Sequence, residues 1–385
     1  MSLGLPRSIA LVTVVLSLVP ACVTAQQVRG RLVSAGQGTP VGEALVLLLD
    51  STRHEVARTA STASGGFALR ALRPGRYVVR VQRIGYLAWE TSTPPLAAGE
   101  EWATTLLVSD DTFSLPELTA YADRALCGVM LDDAGLMAQL LGGAQTALGL
   151  AEAAISTTDS AGPSYLVQSW RHTLRADGTP LDPVPAVAPR QLSGWPIRSA
   201  DPDSLRVWGF VRGKYPPGRE VVPGPDVGPV FYGPDARVLF TPWFLDAHCF
   251  TIERARRGDD STLVVRFKPG KHAGPAALSG RFEFNRTSLA LRALSFAFVG
   301  LPSWVPEGTG GAMRFVRLAD GAWLPAWWRM QAPIPLVDMR KGTYALYGFA
   351  ETGGYVVKVI RPGGVEDTAA AAALMSARTL GAPRP

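Results

Sequence analysis

The stretch SGGFALRALRPGRYVVRVQRIGY, residues Ser64 to Tyr86, decides how the first quarter of this chain is read. In its second half Tyr77, Val79 and Val81 fall on one side of an extended backbone, and Arg76, Arg80 and Gln82 fall on the other, because strand side chains alternate. One face is core and the other is wet. Pro74-Gly75 and Gly65-Gly66 are turn pairs on either side of Phe67-Ala68-Leu69, so the stretch reads as a short strand, a turn and a longer strand. Its arginines are then the solvated face of a strand, with a specific anion site as the alternative.

The same alternation, broken by turn residues, runs from Val28 to Val108 and predicts half-buried antiparallel strands. Val28-Arg29-Gly30-Arg31-Leu32, Pro40, Ala44, Val46, Gly66-Phe67, Leu69, Leu72, Gly75, Tyr77, Val79, Val81 and Gly85-Tyr86 together resemble the carboxypeptidase regulatory-like domain. The resemblance implies a prealbumin-like, seven-stranded β-sandwich of the carbohydrate-binding-like superfamily over residues 26–108, serving as an accessory module. The turn before Gly66 often carries Asp in that family, whereas here it reads Thr62-Ala63-Ser64-Gly65.

With 47% apolar and 18% charged residues, the chain is expected to fold around sizeable cores. Its net charge of +6 is scattered rather than gathered on one face, which argues against nucleic-acid binding. Arg far outnumbers Lys, and with abundant Ala, Gly and Pro this reads as the bias of a GC-rich coding sequence. Arg7 precedes an apolar run from Ile9 to Val19 that is too short to span a bilayer, and Val23-Thr24-Ala25 supplies small residues. Residues 1–25 therefore read as a secretory signal, and the protein as exported to the periplasm or the outer membrane. The alternative is a lipoprotein acylated at Cys22, since Val19-Pro20-Ala21-Cys22 partly resembles a lipobox. No later stretch is long and apolar enough for a transmembrane helix.

Residues 109–130 read as a linker, within which SLPELTAYADR (Ser114 to Arg124) resembles the segment that joins such a domain to the plug of TonB-dependent receptors. Too few residues follow for a plug and a barrel. The second domain is expected over 131–361. Leu136, Leu140, Ala144, Leu148, Ala151 and Ile155 recur at helical spacing, and the absence of Lys and Arg from Gly128 to Ser160 predicts a helix that packs on protein. Gly142-Gly143 weakens it or allows close approach to a neighbour. Strands are expected at 263–267, 278–285, 289–298, 313–318, 323–330, 344–350 and 355–360, joined as hairpins in a large antiparallel sheet. That sheet is read as a half-barrel with the helix on its concave face. Leu278 to Phe298 resembles a hairpin of the periplasmic lipoprotein-carrier sheets. The proline-rich 180–234 should hold loops and edges, and 362–385 a flexible tail with at most one short helix.

No catalytic, cofactor or metal motif stands out. His54, His172, His248 and His272 form no H-E-x-x-H or comparable set. Asp246-Ala247-His248-Cys249 reads as a strand start, with a ligand corner as the alternative. Cys127 and Cys249 are expected to be disulfide-bonded in an exported protein, pinning helix to sheet, with two separate buried cysteines as the alternative. Of the ten Trp, Trp304, Trp323, Trp327 and Trp328 are candidates for stacking on a ligand, although core filling is the simpler use. Function is thus read as non-catalytic envelope binding of a carbohydrate or another envelope component, with an outer-membrane protein as a further partner. The alternatives are a carrier or sensor enclosing a lipid-like ligand between helix and sheet, and an unrecognised hydrolase.

Overall fold

The computed structural model describes residues 25–84, 86, 88–110, 134–156, 162–181, 188–213, 229–253, 261–270, 274, 277–338 and 343–379. The expected signal segment with Cys22, the 114–124 resemblance and Cys127 lie outside them.

The fold is mainly β. Strands β1 (Gln26–Ser34), β2 (Leu45–Leu49), β3 (Glu55–Ala60), β4 (Gly66–Ala71), β5 (Val78–Gln82), β6 (Trp89–Ser92) and β7 (Glu101–Val108) form two sheets ordered β4-β1-β7 and β3-β2-β5-β6. Val28, Leu32, Val46, Leu48, Phe67, Leu69, Val79 and Val81 meet between them as one core. The expected sandwich is therefore present, with one departure: β1 and β7 pair in parallel. At the turn that lacks the family's Asp, the Thr62 hydroxyl accepts a 3.0 Å hydrogen bond from the Gly66 N–H, and Gly65 takes φ +81°. A hydroxyl thus fastens the turn while glycine supplies the left-handed backbone.

All five residues of β2 are buried, because both of its faces are covered. Val46 and Leu48 point into the sandwich, whereas Leu45, Leu47 and Leu49 join a second core with helix α1 (Ala134–Ser156). In α1 the expected ridge is in contact with protein, but Met137, Leu141, Ala147 and Leu150 are buried as well. A helix apolar around its circumference is one enclosed on more than one side. Close approach occurs at Gly149, where a Cβ would stand 2.4 Å from Leu45 Cδ2; at Gly143 the nearest atom, Ile84 Cγ2, is an ordinary 4.0 Å away.

The rest of the chain builds a ten-stranded sheet. Its elements are β8 (Ser164–Arg175), β9 (Arg190–Gln191), β12 (His248–Glu253), β13 (Thr262–Pro269), β14 (Leu278–Asn285), β15 (Leu291–Phe298), β16 (Gly310–Arg317), β17 (Trp323–Asp338), β18 (Thr343–Arg361) and β19 (Val365–Glu366). Between β9 and β12 lie α2 (Pro202–Trp208), the two-stranded β10 (Val211–Arg212) and β11 (Val230–Phe231), α3 (Ala236–Leu239) and α4 (Pro242–Ala247). The order is β12-β13-β14-β15-β16-β17-β18-β8-β9, with β19 beside β18, so the sheet stays open and does not close into a barrel. Every pair in it is antiparallel.

Several expectations need correction. The two strands expected at 344–350 and 355–360 are one, β18, because Gly353 and Gly354 stay in the ladder opposite Trp170 and Ser169 of β8. The strand start expected at Asp246-Ala247-His248-Cys249 begins only at His248, since Asp246 lies in the last turn of α4 and is exposed while His248 opens β12. The tail carries the one short helix that the expectation allowed, α5 (Thr368–Thr379), whose Leu374 is buried. Of the expected Cys127–Cys249 bridge only one end is described: Cys249 is disulfide-bonded, and its partner is not among the described residues. The helix is not held over the strand of Cys249: β12 is the edge strand, and α1 packs chiefly on β17, β3, α3, β2 and β15. Apolar contact fixes the helix there.

Candidate functional site

Register places Trp328, Met330 and Ala332 of β17 beside Gly354, Thr352 and Ala350 of β18, and Thr352 beside Arg171 of β8. These positions share one face of the sheet, and all of them but Gly354 line the floor of a cleft of about 690 Å³. Its wall comes from 190–198 and 229–231, brought over the floor because β9 pairs Arg190 with Val167 and Gln191 with Leu166. The wall is tied down at several points. The Gly194 N–H donates to the Ile155 carbonyl, the Gly233 N–H donates to the Arg198 carbonyl at 2.7 Å, and Ser199 Oγ donates to Asp235 Oδ2 at 2.7 Å. Gly233 permits the approach, since a Cβ there would lie 2.4 Å from Ile197 Cγ2.

The reverse face of the same three strands holds a buried carboxylate. Glu351 Oε1 accepts from Trp170 Nε1 at 3.1 Å and lies 3.1 Å from His172 Nε2; Oε2 accepts from Gln331 Nε2 at 2.8 Å, and Arg329 Nε is 3.7 Å away. One carboxylate thus joins β8, β17 and β18 beneath the floor. Charge-assisted bonds of this kind are stronger than neutral ones and fix side-chain directions. His172 Nδ1 is buried without a hydrogen-bond partner among the described residues.

A second buried charge cluster lies where sandwich and helix meet. Arg58 of β3 pairs with Glu152 of α1 and with Glu55, while Glu152 Oε1 accepts from the Ala236 N–H at 2.8 Å. Asp235 caps α3 by accepting from the Val238 N–H and pairs with Arg237. Burial pushes the Glu152 carboxyl up, Arg58 pulls it back and the Asp235 charge adds to the rise, leaving it at about 7. Burial works against the charge on Arg58, yet Glu152 and Glu55 outweigh it and hold its pKa above the ordinary value.

A further cleft of about 620 Å³ is lined by Trp208, Phe210, Val299, Leu301, Trp304 and Tyr344, with the Trp304 and Tyr344 rings stacked at 6.1 Å. The four candidate tryptophans therefore separate. Trp304 lines this second cleft and Trp328 the floor of the first. Trp323 is core, and Trp327 sits opposite Tyr355 on the reverse face, half-buried. His248 is a core histidine: Nδ1 donates to the Phe244 carbonyl at 2.8 Å, Nε2 accepts from the Leu278 N–H at 3.3 Å, and burial lowers its pKa. His54 is exposed, and His272 lies outside the described residues.

Sequence reasoning did not find Arg171, Arg190, Arg198 or Glu351, which only strand pairing brings together. Among the described residues no group of three or more His, Cys, Asp or Glu is placed to hold a metal ion, and no helix is long and apolar enough to cross a membrane.

No curated protein matches the chain. Among solved structures, the 5-hydroxyisourate hydrolase of Klebsiella pneumoniae is 15% identical over 23% of this chain and 94% of its own, with a TM-score of 0.19. An (S)-allantoin synthase is 13% identical over 24% of this chain and 43% of its own, again with a TM-score of 0.19. Residues 27–107 match the carboxypeptidase regulatory-like domain, and the N-terminal sandwich is a domain of that kind.

Proposed function

We propose that this is an exported, non-catalytic binding protein of a bacterial envelope, which takes a carbohydrate or another envelope component in the cleft over β8, β17 and β18. The observation that carries this reading is the cleft itself. At about 690 Å³ it has the size of a small-molecule site, and it combines an apolar floor of Trp328, Met330 and Ala332 with Ser169, Thr352, Gln191 and three arginines. Residues 27–107 act as an accessory module that buries one side of α1. Export is supported by Arg7 and the apolar run that follows it.

Native mass spectrometry of the protein purified from its own envelope tests the reading. A bound component is expected on the wild type and absent from Thr352→Trp, which fills the floor. Retention by both would place the ligand elsewhere. A lipid-like ligand is a second reading, favoured by the apolar lining of the Trp304 cleft rather than by any space beneath α1. Loss of a retained lipid on Trp304→Ala, with no effect of Thr352→Trp, would support it.

A further inference from the structure

We infer that the cleft over β8, β17 and β18 takes an acidic glycan, its carboxylate or phosphate held by Arg171, Arg190 and Arg198 while a sugar ring lies along the floor. Given that the cleft is the ligand site, as proposed above, its chemistry selects an anion. The lining contains these three arginines and no Asp or Glu. None of the three guanidinium groups forms an ion pair or a side-chain hydrogen bond among the described residues, whereas Arg58, Arg237, Arg329 and Arg361 all face carboxylates. All three are exposed, so their charge is directed to solvent at the cleft rather than spent inside the fold. Three like charges around one concavity repel one another, and an incoming anion relieves that repulsion. A guanidinium offers two parallel N–H donors, a geometry that matches carboxylate and phosphate.

The floor decides the rest of the ligand. Ala332, Ala350 and Ser169 are small and leave room above the strands, and the edges of the otherwise buried Trp328 and Met330 border that space between hydroxyl and amide groups. A pyranose ring has an apolar face and a rim of hydroxyls, and suits such a surface. An acyl chain needs enclosed apolar space, which an open cleft bordered by Ser169, Thr352 and Gln191 does not provide.

The test is titration calorimetry on the full chain with tetragalacturonate and a phosphorylated mannan oligomer, each beside its uncharged counterpart, the methyl ester and plain mannan. Inorganic phosphate and phosphatidylglycerol vesicles complete the set. At least one acidic oligomer should bind. That affinity should fall about tenfold or more for the uncharged counterpart and for the Arg171→Gln/Arg190→Gln/Arg198→Gln variant, and should weaken as salt is raised. Substitution of exposed arginines should leave the melting temperature unchanged, and the comparison of charged with uncharged oligomers needs no variant. Equal binding of charged and uncharged oligomers, or undiminished binding by the folded triple variant, would overturn the inference. So would phosphate binding as tightly as the oligomers, binding confined to the vesicles, or no binding by any probe. A neutral component retained in native mass spectrometry and lost on Thr352→Trp would leave the cleft as the ligand site while removing the acidic glycan. If nothing is retained and no probe binds, both fail.

Discussion

Arg58 on β3 and Glu152 on α1 form an ion pair across the junction of sandwich and helix, with side chains 10% and 8% exposed respectively. The pair lies beside an apolar core in which Leu45, Leu47 and Leu49 meet Met137, Leu141 and Leu148 of the helix. Above about pH 7, where Glu152 is ionised, removing one partner of such a buried pair costs about 3–5 kcal/mol because it strands the other charge. Arg58→Met is therefore expected to lower the melting temperature by more than the double variant Arg58→Met/Glu152→Leu, as differential scanning calorimetry would show.

The same carboxyl gives the protein a pH dependence of defined sign. In the folded chain Glu152 holds its proton up to about pH 7, whereas unfolded it releases it near the ordinary 4.5. Between those values the folded state binds more protons, so raising the pH destabilises it, by on the order of 3 kcal/mol at most. His248 acts in the opposite direction: its pKa is depressed by burial, so its contribution is lost as pH falls below about 6.5. The diagnostic quantity is the difference between wild type and Glu152→Gln in urea denaturation from pH 4.5 to 8. Stability relative to the variant should fall with rising pH, and a flat or rising difference would reject the assignment.

Cut at its sequence boundary, the sandwich exposes Leu45, Leu47 and Leu49. Burial of a leucine is worth about 1.5–3 kcal/mol. Residues 26–108 expressed alone are expected to give dispersed β-type amide resonances, since the inner core is complete, but to self-associate. Sedimentation velocity should show concentration-dependent association that Leu47→Ser relieves. A monomeric fragment at every concentration would mean that the stripe is covered in some other way.

Gly354 lies against the floor. A Cβ there would come 2.4 Å from Trp328 Cζ2 and 2.9 Å from the Gln168 carbonyl oxygen. Gly354→Ala is expected to destabilise the protein by about 1–3 kcal/mol through overpacking, and to shift Trp328, which intrinsic fluorescence would report. An unchanged emission maximum and melting temperature would show that the ring has room to move.

Beneath that floor, Glu351→Leu leaves the Trp170, His172 and Gln331 side chains without their shared acceptor. Each unsatisfied buried donor costs about 1–3 kcal/mol. A fall in stability together with weakened ligand binding is expected from calorimetry. Loss of stability with binding intact would separate the carboxylate from the cleft above it.

The alternation of Tyr77, Val79 and Val81 was enough to read a strand with one buried face, whereas the sandwich was implied by the resemblance to a known domain, and the succession of close-spaced strands made the hairpins of the large sheet legible. The joint between the two units was less so. Five consecutive apolar residues at Leu45 to Leu49 are the pattern of a strand covered on both faces, and Glu152 is the only charge between Asp133 and Asp159. A lone charge on such a helix needs a buried partner, but its identity, Arg58, is set by tertiary packing. The cleft was illegible for a different reason. Arg190 and Arg198 sit in a region with no usable period, and their proximity to Arg171 of β8 depends on a two-residue strand, β9, that no alternation can signal. Gly353-Gly354 looked like a break between strands, because the Trp170 and Trp328 rings that occupy the missing side-chain space come from other parts of the chain.

Strand β18 contributes Tyr344 to one cleft and Ala350, Thr352 and Gly353 to the other. At about 3.3 Å per residue, the six positions from Tyr344 to Ala350 set a separation of about 20 Å along the strand. Neighbours β17 and β8 lock the strand on both sides through Ala350. The two clefts are therefore marks on one ruler: a chain-like molecule long enough to reach both would be measured against a fixed spacing, and neither mark can move without breaking the ladder that carries the other.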